Sequence, residues 1–147
     1  MSNELDDVMI ALSIRQPWAE LIVKGIKPIE IRPWKPAEKY IGKRILIHAG
    51  LKPSSEEFAQ SEVTRMSARF NLFKGAIIGS AVLANFKRYE EYADWVIDER
   101  KHLNDLSWYK PELFGFIFEE PVEFDEPIPY KGMLNFFKVK SDEITIP

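Results

Sequence analysis

The chain has 147 residues, 46% hydrophobic and 13% aromatic, with a net charge of −3; this suits one domain, 1–147, with a sizeable core and excludes bulk disorder. It has no Cys and only two His, His48 and His102, far apart in sequence, which excludes disulfides, a thiol nucleophile and Cys-based zinc and argues against any metal or cofactor site. No apolar run approaches the roughly 18 residues of a membrane span, and the acidic start MSNELDD is wrong for a secretory signal, so a cytoplasmic protein with a flexible tail at 1–7 is expected.

VMIALSI (8–14) predicts a strand, apolar and bounded by acids before it and Gln-Pro after it. QPWAELIVKG (16–25) predicts a short helix, with Pro17 at the first helical position, Lys24 in the last turn and Gly25 as the left-handed stop. Trp18, Leu21 and Ile22 share one face of it. In PIEIR (28–32), Ile29 and Ile31 alternate with Glu30 and Arg32, which is strand periodicity. The isoleucines then face the core and the Glu30–Arg32 pair faces away. Lys27 precedes proline and so stands before the strand, where it can turn towards a cleft.

Residues 33–43 read as a loop and RILIHAG (44–50) as a strand. Residues 53–70 predict a helix, opened by a capping box of Ser54 and Glu57 and striped by Ala59, Val63, Met66 and Phe70. GAIIGSAVLANF (75–86) is a long apolar strand whose glycines hint at a bulge. Residues 89–103 look helical, with Tyr89, Tyr92, Ala93 and Val96 on one side. Strands at 113–124 and 134–140 close the chain, joined by a proline-rich turn around 126–130. Five or six strands with inserted helices predict an α+β fold, a small curled sheet or barrel. Neither a GxGxxG turn nor a phosphate loop is present.

Charge is unevenly spread. Residues 13–52 hold nine Lys/Arg and three Glu, and the rest of the chain carries 11 basic and 20 acidic residues. A basic face on an acidic body fits a phosphate-bearing ligand, although loop lysines also serve solubility. Lys35, Lys39, Lys43 and Arg44 are the expected phosphate contacts. Arg15, Gln16 and Trp18 gather at the first strand–helix junction, and Trp34 follows the second strand. A nucleobase site needs such a set: an aromatic plate, edge-reading polar groups and cations. Both tryptophans could equally pack into the core. Glu30 and Arg32 are either an exposed ion pair or a cleft rim in which Arg forks to phosphate and Glu accepts from a base amine. His48 is either structural or a hydrogen-bonding and proton-shuttling group.

The run LSIRQPWAELIVKGIKPIEIR, followed by IGKRILIHAG, resembles the ASCH domain (activating signal cointegrator homology). Gly25, Lys27, Glu30 and Arg32 match its G-x-K-x-x-E-x-R signature. FGFIFEEPVEF and PIPYKGMLNFFKV resemble the closing strands of one branch. The resemblance implies a PUA-like small mixed β-barrel with inserted helices. It also implies a cleft, between barrel and first helix, that takes RNA, another nucleic acid or a modified nucleoside.

Some bacterial relatives are amidohydrolases of N-acylated cytidines with a K-x-x-T site and a distant Glu. Lys27 matches that Lys, but Glu30 replaces the Thr, and only Glu90 and Glu91 are nominal candidates for the distant acid. The expectation is therefore a non-catalytic nucleic-acid or nucleotide reader using Arg15, Gln16, Trp18, Lys27, Glu30, Arg32, Trp34 and His48. The alternatives are a small hydrolase in the same cleft, an amidohydrolase or metal-independent ribonuclease with Lys27, Glu30 and His48 as candidate catalytic groups, and a module for an acidic protein partner.

Overall fold

The computed structural model describes residues 8–52 and 61–146. Six strands form one mixed sheet in the order β2-β5-β4-β3-β1-β6. β1 (Val8–Ile14) and β3 (Arg44–Ala49) run parallel in the middle of it, and every other pairing is antiparallel. β2 (Ile29–Arg32) and β6 (Phe136–Lys140) are the two edges. The sheet curls strongly. Phe116, next to the β2 edge, stacks on Phe136 of β6 with ring centroids 6.1 Å apart. Arg32 Nη2 at the end of β2 donates to the Ser13 carbonyl of β1 at 2.9 Å. Among the described residues no ladder joins β2 to β6, so the barrel-like curl stays open.

α1 (Trp18–Val23) lies wholly buried against the concave face, with Leu21, Ile22 and Val23 in a core shared with Leu12, Ile45, Ile47, Leu83 and Phe116. Its start differs from expectation: Gln16–Pro17 is cis, and Pro17 flanks the helix rather than opening it. Gly25 does supply the left-handed stop, at φ 75°. α2 (Ser61–Ser67) realises the described part of the helix expected at 53–70, with Val63 buried and Met66 and Phe70 packed on the core. The Ser54–Glu57 capping box and Ala59 lie outside the described residues.

β4 (Ala76–Arg88) shifts register between Ile77 and Gly79, as its glycines suggested. The helix expected at 89–103 is two short pieces, α3 (Tyr92–Ile97) and α4 (Glu99–His102). Its buried face is Trp95, Asp98 and His102; Tyr92, Ala93 and Val96 are exposed, and Tyr89 is buried ahead of the helix. Polar groups hidden in the buried stripe explain the difference. Asp98 is satisfied by Lys87 and by the Tyr89 hydroxyl, and His102 stacks on Trp95 at 3.9 Å.

The proline-rich stretch expected as a turn belongs to β5 (Phe114–Pro129). β2 covers β5 only from Phe114 to Ile117. Pro121, Pro127 and Pro129 fall beyond it, where among the described residues one side of the strand has no neighbour needing an N–H.

Candidate functional site

The parallel pair β1 and β3 ends at one rim of the curled sheet, and a cavity of about 1090 Å³ opens there. Ser13 and Arg15 reach it from the end of β1; His48, Gly50 and Lys52 reach it from the end of β3. Glu30, Ile31 and Arg32 enter from the end of β2. The loop between β5 and β6 adds Lys131 to Asn135, and the segment after α4 adds Asn104, Trp108, Tyr109 and Lys110.

Its floor is an ion-paired strand end. Glu30 is 6% exposed and receives Lys27 Nζ at 3.2 Å on Oε1 and Arg32 Nη2 at 3.1 Å on Oε2. Arg32 is held from the other side by the Ser13 carbonyl, so its fork bridges two strands. Lys27 is 0% exposed and does not line the cavity. It lies beneath Glu30, donating to the Ile29 carbonyl and sitting 5.2 Å from the Trp18 ring centroid. The turn towards the cleft expected of Lys27 is thus an inward one. Ile31, expected in the core, is half-buried on the cavity side, because the end of the edge strand opens into the cavity.

His48 holds the wall. Its Nε2–H donates to the Tyr130 carbonyl at 2.7 Å, which leaves Nδ1 to accept the Ser13 hydroxyl at 3.2 Å. Burial keeps its pKa below the ordinary histidine value, so the ring is neutral at pH 7. Gly132 passes so close that a methyl group there would overlap the imidazole.

The other predicted residues divide. Arg15 is exposed at the cavity rim, and Trp18 lines the cavity while belonging to the core. Gln16 is buried, donating to the Phe73 carbonyl and accepting from the Glu20 amide; it fastens α1 and does not line the cavity. Trp34 is half-buried, packs edge-on against Phe116 and Phe136, and does not line the cavity. Lys35, Lys39, Lys43 and Arg44 are all absent from the lining. Lys35 pairs with Glu38, Lys39 covers Tyr40, and Arg44 bonds Ser80 and the Glu120 carbonyl.

Sequence reasoning passed over Ser13, Lys52, Lys110 and Lys131, together with the tryptophan–tyrosine wall. Trp95 is fixed in that wall by an Nε1–H bond to the Leu106 carbonyl, and Tyr109 by its hydroxyl on the Tyr89 carbonyl. Two short signals were available: Tyr109-Lys110-Pro111 and Tyr130-Lys131-Gly132 each set an aromatic and a lysine against a turn-forming residue. Among the described residues, five cations and one carboxylate line the cavity. Among the described residues no group of three or more His, Asp or Glu side chains is placed to hold a metal, and no helix is long and apolar enough to cross a membrane.

The family model of the ASCH domain matches residues 12–128. The chain belongs to the ASCH domain family. It is 26% identical over 137 residues to activating signal cointegrator 1 of Mus musculus, and equally so to that of Homo sapiens; the match covers 88% of this chain but 22% of those longer proteins. Among solved structures it is similar to ASCH from Zymomonas mobilis, with a TM-score of 0.64 and 15% identity over 92% of this chain and 90% of that one. A point variant of the same bacterial protein matches at a TM-score of 0.62. These likenesses establish the ASCH, PUA-like fold. The signature residues Lys27, Glu30 and Arg32 form the ion-paired floor, with only the last two facing the cavity.

Proposed function

We propose that this ASCH domain binds single-stranded RNA, or a nucleotide of it, in the cavity at the ends of β1 and β3. The observation that carries the reading is the lining: among the described residues, Arg15, Arg32, Lys52, Lys110 and Lys131 face it with one carboxylate, Glu30, on a chain of net charge −3. Such a concentration of positive charge selects phosphate. Trp108 and Tyr109, half-buried on the wall, offer ring surface for a base. Glu30 keeps lone pairs beyond its two ion pairs and can accept from a base amine. Lys27 is a positioning residue that holds this carboxylate from below.

The test is to titrate a short single-stranded RNA and cytidine monophosphate while following indole fluorescence. Binding should change the emission, and Trp108→Leu should weaken it about tenfold with the folded circular-dichroism spectrum kept. Equal affinity in wild type and variant would refute the stacking role.

A second reading, hydrolysis in the same cleft, has one observation in its favour. The Ser13 hydroxyl is donated to a neutral His48 on the cavity wall, as an activated serine would be. A fluorophosphonate probe that labels Ser13 in wild type but not in His48→Gln would support it. Absence of labelling at Ser13 would leave His48 with a structural role.

A further inference from the structure

The loop between β5 and β6 carries two large apolar side chains that stand exposed: Met133 is 65% exposed and Leu134 is 90% exposed. Adjacent exposure of this kind forgoes burial worth about 25 cal/mol for each Å², yet the loop is not loosely hung. Tyr130 at one end is bonded through its carbonyl to His48, and Gly132 lies against the same imidazole. At the other end Asn135, at φ 60°, accepts from the Ser13 amide at 3.5 Å. The loop is therefore pinned to both parallel strands, and its tip lines the same cavity as Leu51, Lys52 and Lys131.

We infer that Met133 and Leu134 form a platform for a second base, the one following the nucleotide held in the cavity. This inference rests on the nucleotide-binding reading above and extends it from one nucleotide to a strand. Apolar side chains flanked by lysines complement a chain that presents flat apolar faces and phosphates in alternation, and single-stranded nucleic acid is such a chain. Lys131 and Lys52 would meet the phosphates on either side of the step, and the methionine and leucine would cover the face of the base between them. The site then reads two nucleotides or more, and a lone mononucleotide fills only part of it.

The experiment compares cytidine monophosphate with single-stranded oligonucleotides of two to six residues, on wild type and on the Met133→Ser, Leu134→Ser double variant. Both side chains are exposed, so the fold should be untouched. The double variant should lose about tenfold or more in oligonucleotide affinity, lose clearly less in mononucleotide affinity, and keep the wild-type salt dependence, because no charge is removed. Equal affinity of wild type and variant for the oligonucleotides would overturn the inference while leaving the cavity reading intact. Equal loss for mononucleotide and oligonucleotide would also overturn it, since the pair would then act inside the cavity. If wild type binds neither ligand, both readings fail. Sedimentation with phosphatidylcholine–phosphatidylserine vesicles supplies the last arm. If vesicle binding is lost in the double variant while oligonucleotide binding stays whole, the patch is a lipid contact and the inference is wrong.

Discussion

Lys27 Nζ lies 3.2 Å from Glu30 Oε1, and the lysine is completely buried while the carboxylate edges onto the cavity. One member of the signature therefore supports another from behind. Breaking a buried pair from one side costs about 3–5 kcal/mol, because it strands the remaining charge. Lys27→Met should lower stability by about 3 kcal/mol, and Glu30→Gln, which takes the facing carboxylate charge from a lysine with no exposure, should lower it as well. The double variant should lose clearly less than the sum of the two. Urea unfolding at pH 7 measures all three; strict additivity would mean that the pair is not coupled.

Arg32 does what lysine cannot. It spans Glu30 on its own strand and the Ser13 carbonyl on β1, using the planar fork of the guanidinium. Arg32→Lys keeps the charge but should cost about 1–2 kcal/mol of stability and weaken RNA binding about tenfold. Calorimetric titration against the same oligonucleotide reads the second effect, and undiminished affinity would remove Arg32 from the site.

Gly132 tests the loop anchor. Its backbone approaches the His48 ring too closely for a Cβ. Gly132→Ala must push the loop or the imidazole aside, at about 1–3 kcal/mol. The melting temperature should fall, and the His48 ring signals in NMR should move with it. An unshifted His48 would show that the loop is not seated as described.

Two buried groups titrate in opposite senses. Burial holds His102 down to about 4, against 6.5 for an ordinary histidine; the Trp95 carbonyl and Asp98 oppose that shift, while Lys27 and Lys87 add to it. The unfolded chain takes up this proton first, so the stability linked to His102 is present at neutral pH and is lost as pH falls from about 6.5 to about 4. Burial and the neighbouring Glu123 push Glu20 up to about 7, against 4.5 for an ordinary glutamate, with Lys24 opposing. Its contribution is present below about 4.5 and is lost as pH rises to about 7. The two offset each other between about 4.5 and 6.5. Glu20→Gln should remove one side, leaving stability that rises through this interval by up to about 1.4 kcal/mol per pH unit. It should also be more stable than wild type above pH 7. Chemical denaturation at several pH values checks both signs.

Much of the fold was legible because its strands are short apolar runs with clear stops. β1 and β3 fall at 8–14 and 44–49, where their patterns placed them. The helix at 89–103 was misread because its buried face carries Asp98 and His102, and a hydrophobic stripe cannot reveal polar groups that are satisfied internally. The signature strand was legible as a pair of charges, but which side Lys27 takes depends on Glu30 and Trp18 closing over it. The basic stretch at 13–52 was a coarse guide. Arg15, Arg32 and Lys52 reach the cavity, while Lys110 and Lys131 come from the acidic remainder, because the cavity is assembled by loops distant in sequence.

Nucleic-acid binding through the cations of this cavity should show itself in the dependence of affinity on salt. For a single strand, log K should fall linearly with log salt, at about −0.7 for each phosphate neutralised. The measurement compares that slope in wild type, in Lys110→Glu, Lys131→Glu, whose lysines line the cavity, and in Lys39→Glu, Lys43→Glu, whose lysines do not. Wild type should show a steep slope, the first variant weaker binding with a flatter slope, and the second near wild-type behaviour. An affinity that ignores salt, or that responds equally to both variants, would contradict binding through these cations.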